Sequence, residues 1–146
     1  MNAITRKEAA AIDAPTLSFS LNGRDVTARA TETLIEVADR EGIEIPRLCY
    51  KPGLAAVGNC RACMVEIAGE RVLAPSCCRS PTAGMVVKTD SERALKSQKM
   101  VLELLLSDMP DNTPRRHLYT RHNEVDQWAA TLQVGQPRFA ARAPPA

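Results

Sequence analysis

Leu17, Phe19 and Leu21 alternate with Ser18 and Ser20, the period-two pattern of a strand with one buried face. Asn22-Gly23 follows at once, a pair preferred in the two-residue turn whose central residues need positive φ, so a β-hairpin is predicted. Its return strand runs from Arg24 through Ala28, with Val26 and Ala28 on one face. The period then changes. Thr33 with Glu36 three positions on is a capping-box pattern, opening a helix with Leu34, Ile35, Val37 and Ala38 as burial candidates. Gly42 stops that helix, because only glycine enters the left-handed C-terminal cap cheaply, and Ile43, Ile45 and Pro46 lead the chain on extended. An irregular loop carrying Pro52, Gly53, Gly58 and Asn59 comes next. Gly53 reads as turn punctuation, whereas Gly58 suits that role or a close backbone approach. Met64, Val65 and Ile67 predict a strand, Gly69-Glu70 its turn, Val72 and Leu73 a return, and Met85 to Val87 a last short strand.

Beyond this alternation the pattern becomes helical again. From about Ser91 to Ser107, Leu95, Met100, Val101, Leu102, Leu104, Leu105 and Leu106 give more apolar surface than a solvent-facing helix needs. Arg93, Lys96 and Lys99 keep one flank polar. Such a helix covers the core, docks on a partner or following domain, or does both. The boundaries predicted are a flexible tail over 1–14, a folded unit over 15–90, a packing or docking helix over 91–108, and an extended connector or docking tail over 109–146. Five of the ten prolines fall in that last part; within it Arg121 to Val134 is a helix candidate, with Val125, Trp128 and Leu132 on one face and Trp128 as anchor.

Composition narrows the function. A chain of 146 residues with 45% hydrophobic positions supports one modest core, and with aromatics at only 3% that core is mostly Val, Ile, Leu and Ala. A net charge of +2 without stacking aromatics argues against nucleic acid. Arg115, Arg116, Arg121 and His122 make a small basic segment that suits an acidic partner surface but whose plain reading is a solvated face. No stretch approaches the roughly 18 apolar residues of a membrane span, and no apolar leader opens the chain, so a cytoplasmic protein is expected.

Four cysteines carry the chemistry: Cys49, ten residues, Cys60, two residues, Cys63, thirteen residues, and Cys77. A long loop ending in C-x-x-C lets three thiolates converge, and a later segment brings the fourth, as iron-sulfur sites require. On the usual pattern for [2Fe-2S] clusters, Cys49 and Cys60 hold one iron and Cys63 with the last cysteine the other. Structural zinc sites commonly draw two close cysteine pairs, and only one is present. Disulfides fit worse, the five cysteines being an odd number. His117 and His122 have no cysteine company and read as surface or interface histidines.

Ile45 to Tyr50, Val57 to Glu66, Ala74 to Cys77 and Gly84 to Val87 together resemble the N-terminal [2Fe-2S] domain of one redox family. Its members are the large peripheral subunit of NADH-quinone oxidoreductase, NAD-linked formate dehydrogenase α subunits and the diaphorase side of NAD-linked hydrogenases. The likeness covers about residues 16 to 107. Its long first loop separates it from plant-type ferredoxins, which place four residues between the first two cysteines. The resemblance implies an α+β fold: a β-grasp ferredoxin-like domain whose mixed sheet packs on the Thr33 to Glu41 helix, followed by the apolar helix and a Pro-rich C-terminal extension. It also implies cluster ligands at Cys49, Cys60, Cys63 and Cys77.

Cys78 is the neighbour that complicates the fourth position. The Pro-Ser-Cys context and the distance to Gly84 align Cys77 with the family ligand, the distance to Pro81 would suit Cys78, and neighbours on an extended segment point to opposite sides. Cys77 is the choice. Charge near the cluster, such as Arg47 and Arg61, is expected to tune its potential. After Met109 the chain departs from the family, whose subunits commonly continue with a histidine and three cysteines for a [4Fe-4S] cluster, and then a catalytic domain. The tail resembles instead the connector of some formate dehydrogenase α subunits.

No side chains here suit formate, NAD or flavin, so no catalytic site is expected within the chain. The reading is one-electron transfer within an NAD-linked oxidoreductase complex, most of all formate dehydrogenase. Its partners would be the pterin catalytic part and the flavin/NAD subunit, and the wider complex would carry further Fe-S clusters, FMN, NAD and a molybdenum or tungsten pterin. A free-standing ferredoxin shuttle and a zinc-stapled interaction module are the alternatives.

Overall fold

The computed structural model describes residues 15–109 and 123–139. Strands β1 (Thr16–Leu21) and β2 (Arg24–Arg29) pair antiparallel from Thr16 opposite Arg29 to Leu21 opposite Arg24. Asn22 and Gly23 take φ of 51° and 80°, so both central turn residues lie where the primed turn needs them. Asn22 does more than turn the chain. Its amide oxygen accepts from the Thr89 N–H and its amide nitrogen donates to the Thr89 hydroxyl, each at 2.8 Å, stapling the hairpin to a segment 67 residues away.

Helix α1 (Leu34–Arg40) starts where the capping pattern predicts. The Glu36 carboxylate accepts from the Thr33 N–H at 2.8 Å and from its hydroxyl at 3.0 Å. It ends at Gly42, whose φ of 71° lets the Ile43 N–H reach back to the Ala38 carbonyl at 2.8 Å. Leu34, Ile35, Val37 and Ala38 are all buried, and they form the core with Phe19, Leu21, Val26, Ala28, Val65, Ile67 and Val87 of the sheet.

Strands β3 (Met64–Ile67), β4 (Ala74–Pro75) and β5 (Val86–Lys88) complete a five-stranded sheet ordered β2-β1-β5-β3-β4. β5 lies parallel to β1 and antiparallel to β3, and β3 is antiparallel to β4, so the sheet is mixed. A mixed sheet gripping one helix is the expected β-grasp. The return to β4 differs from expectation. Val72 is 67% exposed and Val72-Leu73 form no strand, because the Arg71 carbonyl turns outward to accept from Arg93 at 2.6 Å and pairing begins only at Ala74.

Helix α2 (Glu92–Ser107) is capped by Ser91, whose side chain accepts from the Ala94 N–H at 3.1 Å. Its buried positions are Ala94, Gln98, Leu102 and Glu103, so of the apolar residues in the predicted stripe only Leu102 is fully enclosed. The register is set by a polar group. Gln98 donates through its amide to the carbonyls of Met64 at 2.9 Å and Thr89 at 3.1 Å, fixing α2 across β3 and the end of β5. Helix α3 (Glu124–Thr131), shorter than expected, packs on α2 with Ala129 buried and Trp128 only half-buried. Among the described residues no helix is long and apolar enough to cross a membrane.

Candidate metal centre

The loop after α1 is shaped by backbone that side chains rarely favour. Gly53, Gly58 and even Arg61 adopt positive φ, 84°, 61° and 58°, so the chain curls back on itself around Cys60. Its entry is held by Arg47, whose guanidinium grips the Asp39 carboxylate at 2.6 and 2.5 Å, donates to the Ile45 carbonyl at 3.0 Å and lies over the Tyr50 ring. Arg47 is therefore committed to α1. Its charge is paired with that of Asp39, whereas Arg61 is exposed. Lys51, from the same loop, pairs with Glu124 at the start of α3.

Cys49 and Cys60 form the first thiol pair. The Cys60 N–H points at the Cys49 sulfur at 3.4 Å. Burial works to raise the Cys49 thiol, but the N–H and thiol of Cys60 and the Asn59 N–H outweigh it, leaving the thiol below its ordinary range. The lowering favours the thiolate, which is what a metal binds.

Cys63 and Cys77 form the second pair, both buried. Burial first, then the Cys63 thiol, pushes Cys77 far upward. Ser76 joins their segments. Its N–H and hydroxyl both donate to the Cys63 carbonyl, at 3.1 and 2.8 Å, while its own carbonyl accepts from the Ile35 N–H at 3.1 Å. The Arg79 carbonyl takes the Leu34 N–H at 2.8 Å. Two otherwise unpaired donors of the α1 N-terminus thus hold the turn that carries the last cysteines. Ser76 is a positioning residue that the sequence marked only by its place beside a cysteine.

Residues 76–78 form this turn, with the Cys78 and Arg79 N–H groups both on the Pro75 carbonyl at 3.0 and 3.1 Å. The segment is not extended, so the premise that adjacent side chains diverge does not apply. The Cys77 and Cys78 sulfurs lie 3.5 Å apart, one buried and the other exposed. A Cβ added to Gly58 would sit 2.9 Å from the Cys78 sulfur. Gly58 is thus a close-approach glycine as well as a positive-φ one, whereas Gly53 faces open space and is turn punctuation.

Two thiol pairs on a glycine-rich loop and a facing turn suit a two-iron group, which takes two thiolates at each iron. Residues 14–92 match the model of a 2Fe-2S iron-sulfur cluster binding domain. The chain belongs to this family. The 2Fe-2S domain is shared with much longer proteins. The chain is 41% identical over 98 residues to the NADH-ubiquinone oxidoreductase 78 kDa subunit of Candida albicans, covering 67% of this chain and 14% of that one. It is 42% identical over 100 residues to the NADP-reducing hydrogenase subunit HndD of Solidesulfovibrio fructosivorans, covering 64% and 17%. The NADH-ubiquinone oxidoreductase 78 kDa subunit of Neurospora crassa is 36% identical over 124 residues, 84% and 16%. Against a crystal structure of NAD+-reducing [NiFe]-hydrogenase the TM-score is 0.74 at 23% identity, covering 89% of this chain and 54% of that one, a likeness of fold. The expected 2Fe-2S ferredoxin-like fold and family are therefore established. The chain spans only 14% to 17% of the length of these three curated relatives. The 1–14 tail, Arg115, Arg116, His117, Arg121 and His122 lie outside the described residues.

Proposed function

We propose that this chain is the one-electron transfer module of an NAD-linked oxidoreductase complex, with a [2Fe-2S] cluster held by Cys49, Cys60, Cys63 and Cys77. The observation that carries the reading is the arrangement of these thiols as two pairs, the Cys63 and Cys77 segments being joined by the Ser76 bonds to the Cys63 carbonyl. When bound, the cluster takes up and releases one electron without bond chemistry. The residues around it do three things. Burial of Cys63 and Cys77 keeps water from two of the four sulfurs. The Cys60 and Asn59 N–H groups bring backbone dipoles toward the Cys49 sulfur, which favours the charged state. The half-exposed Cys49 and Cys60 leave one edge close to solvent, the natural approach for a redox partner.

Residues 15–90 form the cluster unit in this reading, 91–108 the packing helix and 109–146 a connector to the rest of a cytoplasmic complex. The relatives' names support NAD(P)-linked partners, while a flavin/NAD subunit and a pterin catalytic part among them rest on the family resemblance. Formate oxidation, with FMN, NAD, further Fe-S clusters and a molybdenum or tungsten pterin in the wider complex, rests on the family resemblance of the tail. Anaerobic purification followed by iron, sulfide and EPR measurement tests the centre. Two irons and two sulfides per chain, with a reduced-state signal, are expected; a colourless protein with stoichiometric zinc would overturn it. Isolation of the native complex tests the setting, where formate-dependent NAD reduction is expected and a monomeric shuttle would refute it.

A further inference from the structure

Cys78 is the one cysteine that the centre does not use, and three observations fix its relation to it. Its sulfur is 3.5 Å from that of Cys77, within reach of a sulfur–sulfur hydrogen bond in which either could donate. The turn over 76–78 is held at both sides by α1, through Ser76 and Arg79, so the two thiols are placed together by main-chain bonds rather than by their own side chains. Gly58, in the loop facing that turn, leaves the space that the Cys78 sulfur occupies; a single methyl there would come within 2.9 Å of it.

We propose that Cys78 is a positioning residue whose S–H donates to the Cys77 sulfur and raises the reduction potential of the cluster. The inference rests on the assignment of Cys77 as a ligand. A ligand sulfur is a thiolate and carries no proton, so once Cys77 binds iron the only proton available to this sulfur pair belongs to Cys78, and the direction of the bond is settled. The reduced cluster carries one more negative charge than the oxidised one. A donor aimed at a ligand sulfur therefore stabilises the reduced state more, which moves the potential upward. Gly58 is the companion feature, since it admits the sulfur to this position.

The test is an EPR-monitored redox titration of the reconstituted full-length chain and its Cys78→Ala and Cys78→Ser variants, with iron and sulfide counted in each. Cys78→Ala should keep its full iron and sulfide and titrate at a lower potential, and Cys78→Ser, which restores a donor, should move back toward the wild-type value. Gly58→Ala should also lower the potential by displacing the sulfur, and should do so less when Cys78→Ala is already present. An unchanged potential in Cys78→Ala overturns the proposal. Loss of the cluster in Cys78→Ala with retention in Cys77→Ser overturns it differently, by making Cys78 the ligand. A wild-type chain that assembles no two-iron cluster removes the underlying assignment, and is recognised before any variant is made.

Discussion

The β-grasp unit and the helices that follow it are built on opposite principles. In the first, apolar side chains do the enclosing and backbone bonds do the aligning: Leu34, Ile35 and Val37 are fully buried, and the α1 N-terminus binds the carbonyls of the cysteine turn. In the second, a polar side chain, Gln98, sets the register of α2, and Glu103 with Arg138 ties the chain after α3 onto it. Much of the leucine on α2 is left outside, Leu104 being 47% exposed. A cluster site needs a rigid frame, which close-packed apolar groups supply; α2 instead has a fixed orientation with apolar surface left over.

The two regions part most sharply at the cysteines. Cys60→Ser should abolish the visible absorbance of the cluster, while no single substitution in α2 or α3 should do so. Iron content after anaerobic reconstitution decides, and a Cys60→Ser protein that keeps full colour would remove Cys60 from the ligand set. Next in size is a matched pair of truncations. Leu34→Ala empties a fully buried core site and should cost about 2–5 kcal/mol, whereas Leu104→Ala should stay within about 0.5 kcal/mol. Denaturant unfolding followed by circular dichroism checks both, and equal losses would mean that α2 is part of the core after all.

Gln98→Ala comes third. It leaves the Met64 and Thr89 carbonyls without their donor and should cost about 1–3 kcal/mol, with cluster content unchanged; the same unfolding measurement, with iron counted beside it, checks both halves. Gln98 also shows why the second region was hard to see in the sequence. Apolar periodicity pointed to Leu95, Met100, Val101, Leu102 and Leu104 to Leu106, yet of these only Leu102 is buried, beside Ala94, Gln98 and Glu103, a face chosen by two sheet carbonyls that no sequence pattern displays. In the first region the elements other than β4 announced themselves locally. Asn22-Gly23, the Thr33 and Glu36 cap and Gly42 are short-range devices, and the structure uses all of them. The cysteine spacing likewise marked the centre. What stayed hidden there was long-range: Ser76 bridging to Cys63, Arg47 drawn to Asp39, and the turn that sets Cys77 beside Cys78.

The smallest effect sharpens the contrast in pH. Glu103 accepts from the Arg138 N–H and from two of its guanidinium nitrogens, each at 2.8 Å, and these bonds draw the Glu103 carboxyl down to about 2. A folded-state value below the ordinary 4.5 means that the contact stabilises fully above the unfolded value and is lost as pH falls from about 4.5 towards 2. Trp128, the one tryptophan, lies half-buried on α3, which packs on the helix carrying Glu103. Its fluorescence should change across that acid window in the wild type, and the change should disappear in Glu103→Gln, which already has the loosened signal at neutral pH. High salt should weaken the contact at neutral pH, because the Arg138 side chain is 69% exposed and its charge is open to screening. A Glu103→Gln protein that retains the wild-type acid transition would place the titrating group elsewhere and leave the attachment of the chain after α3 to packing alone.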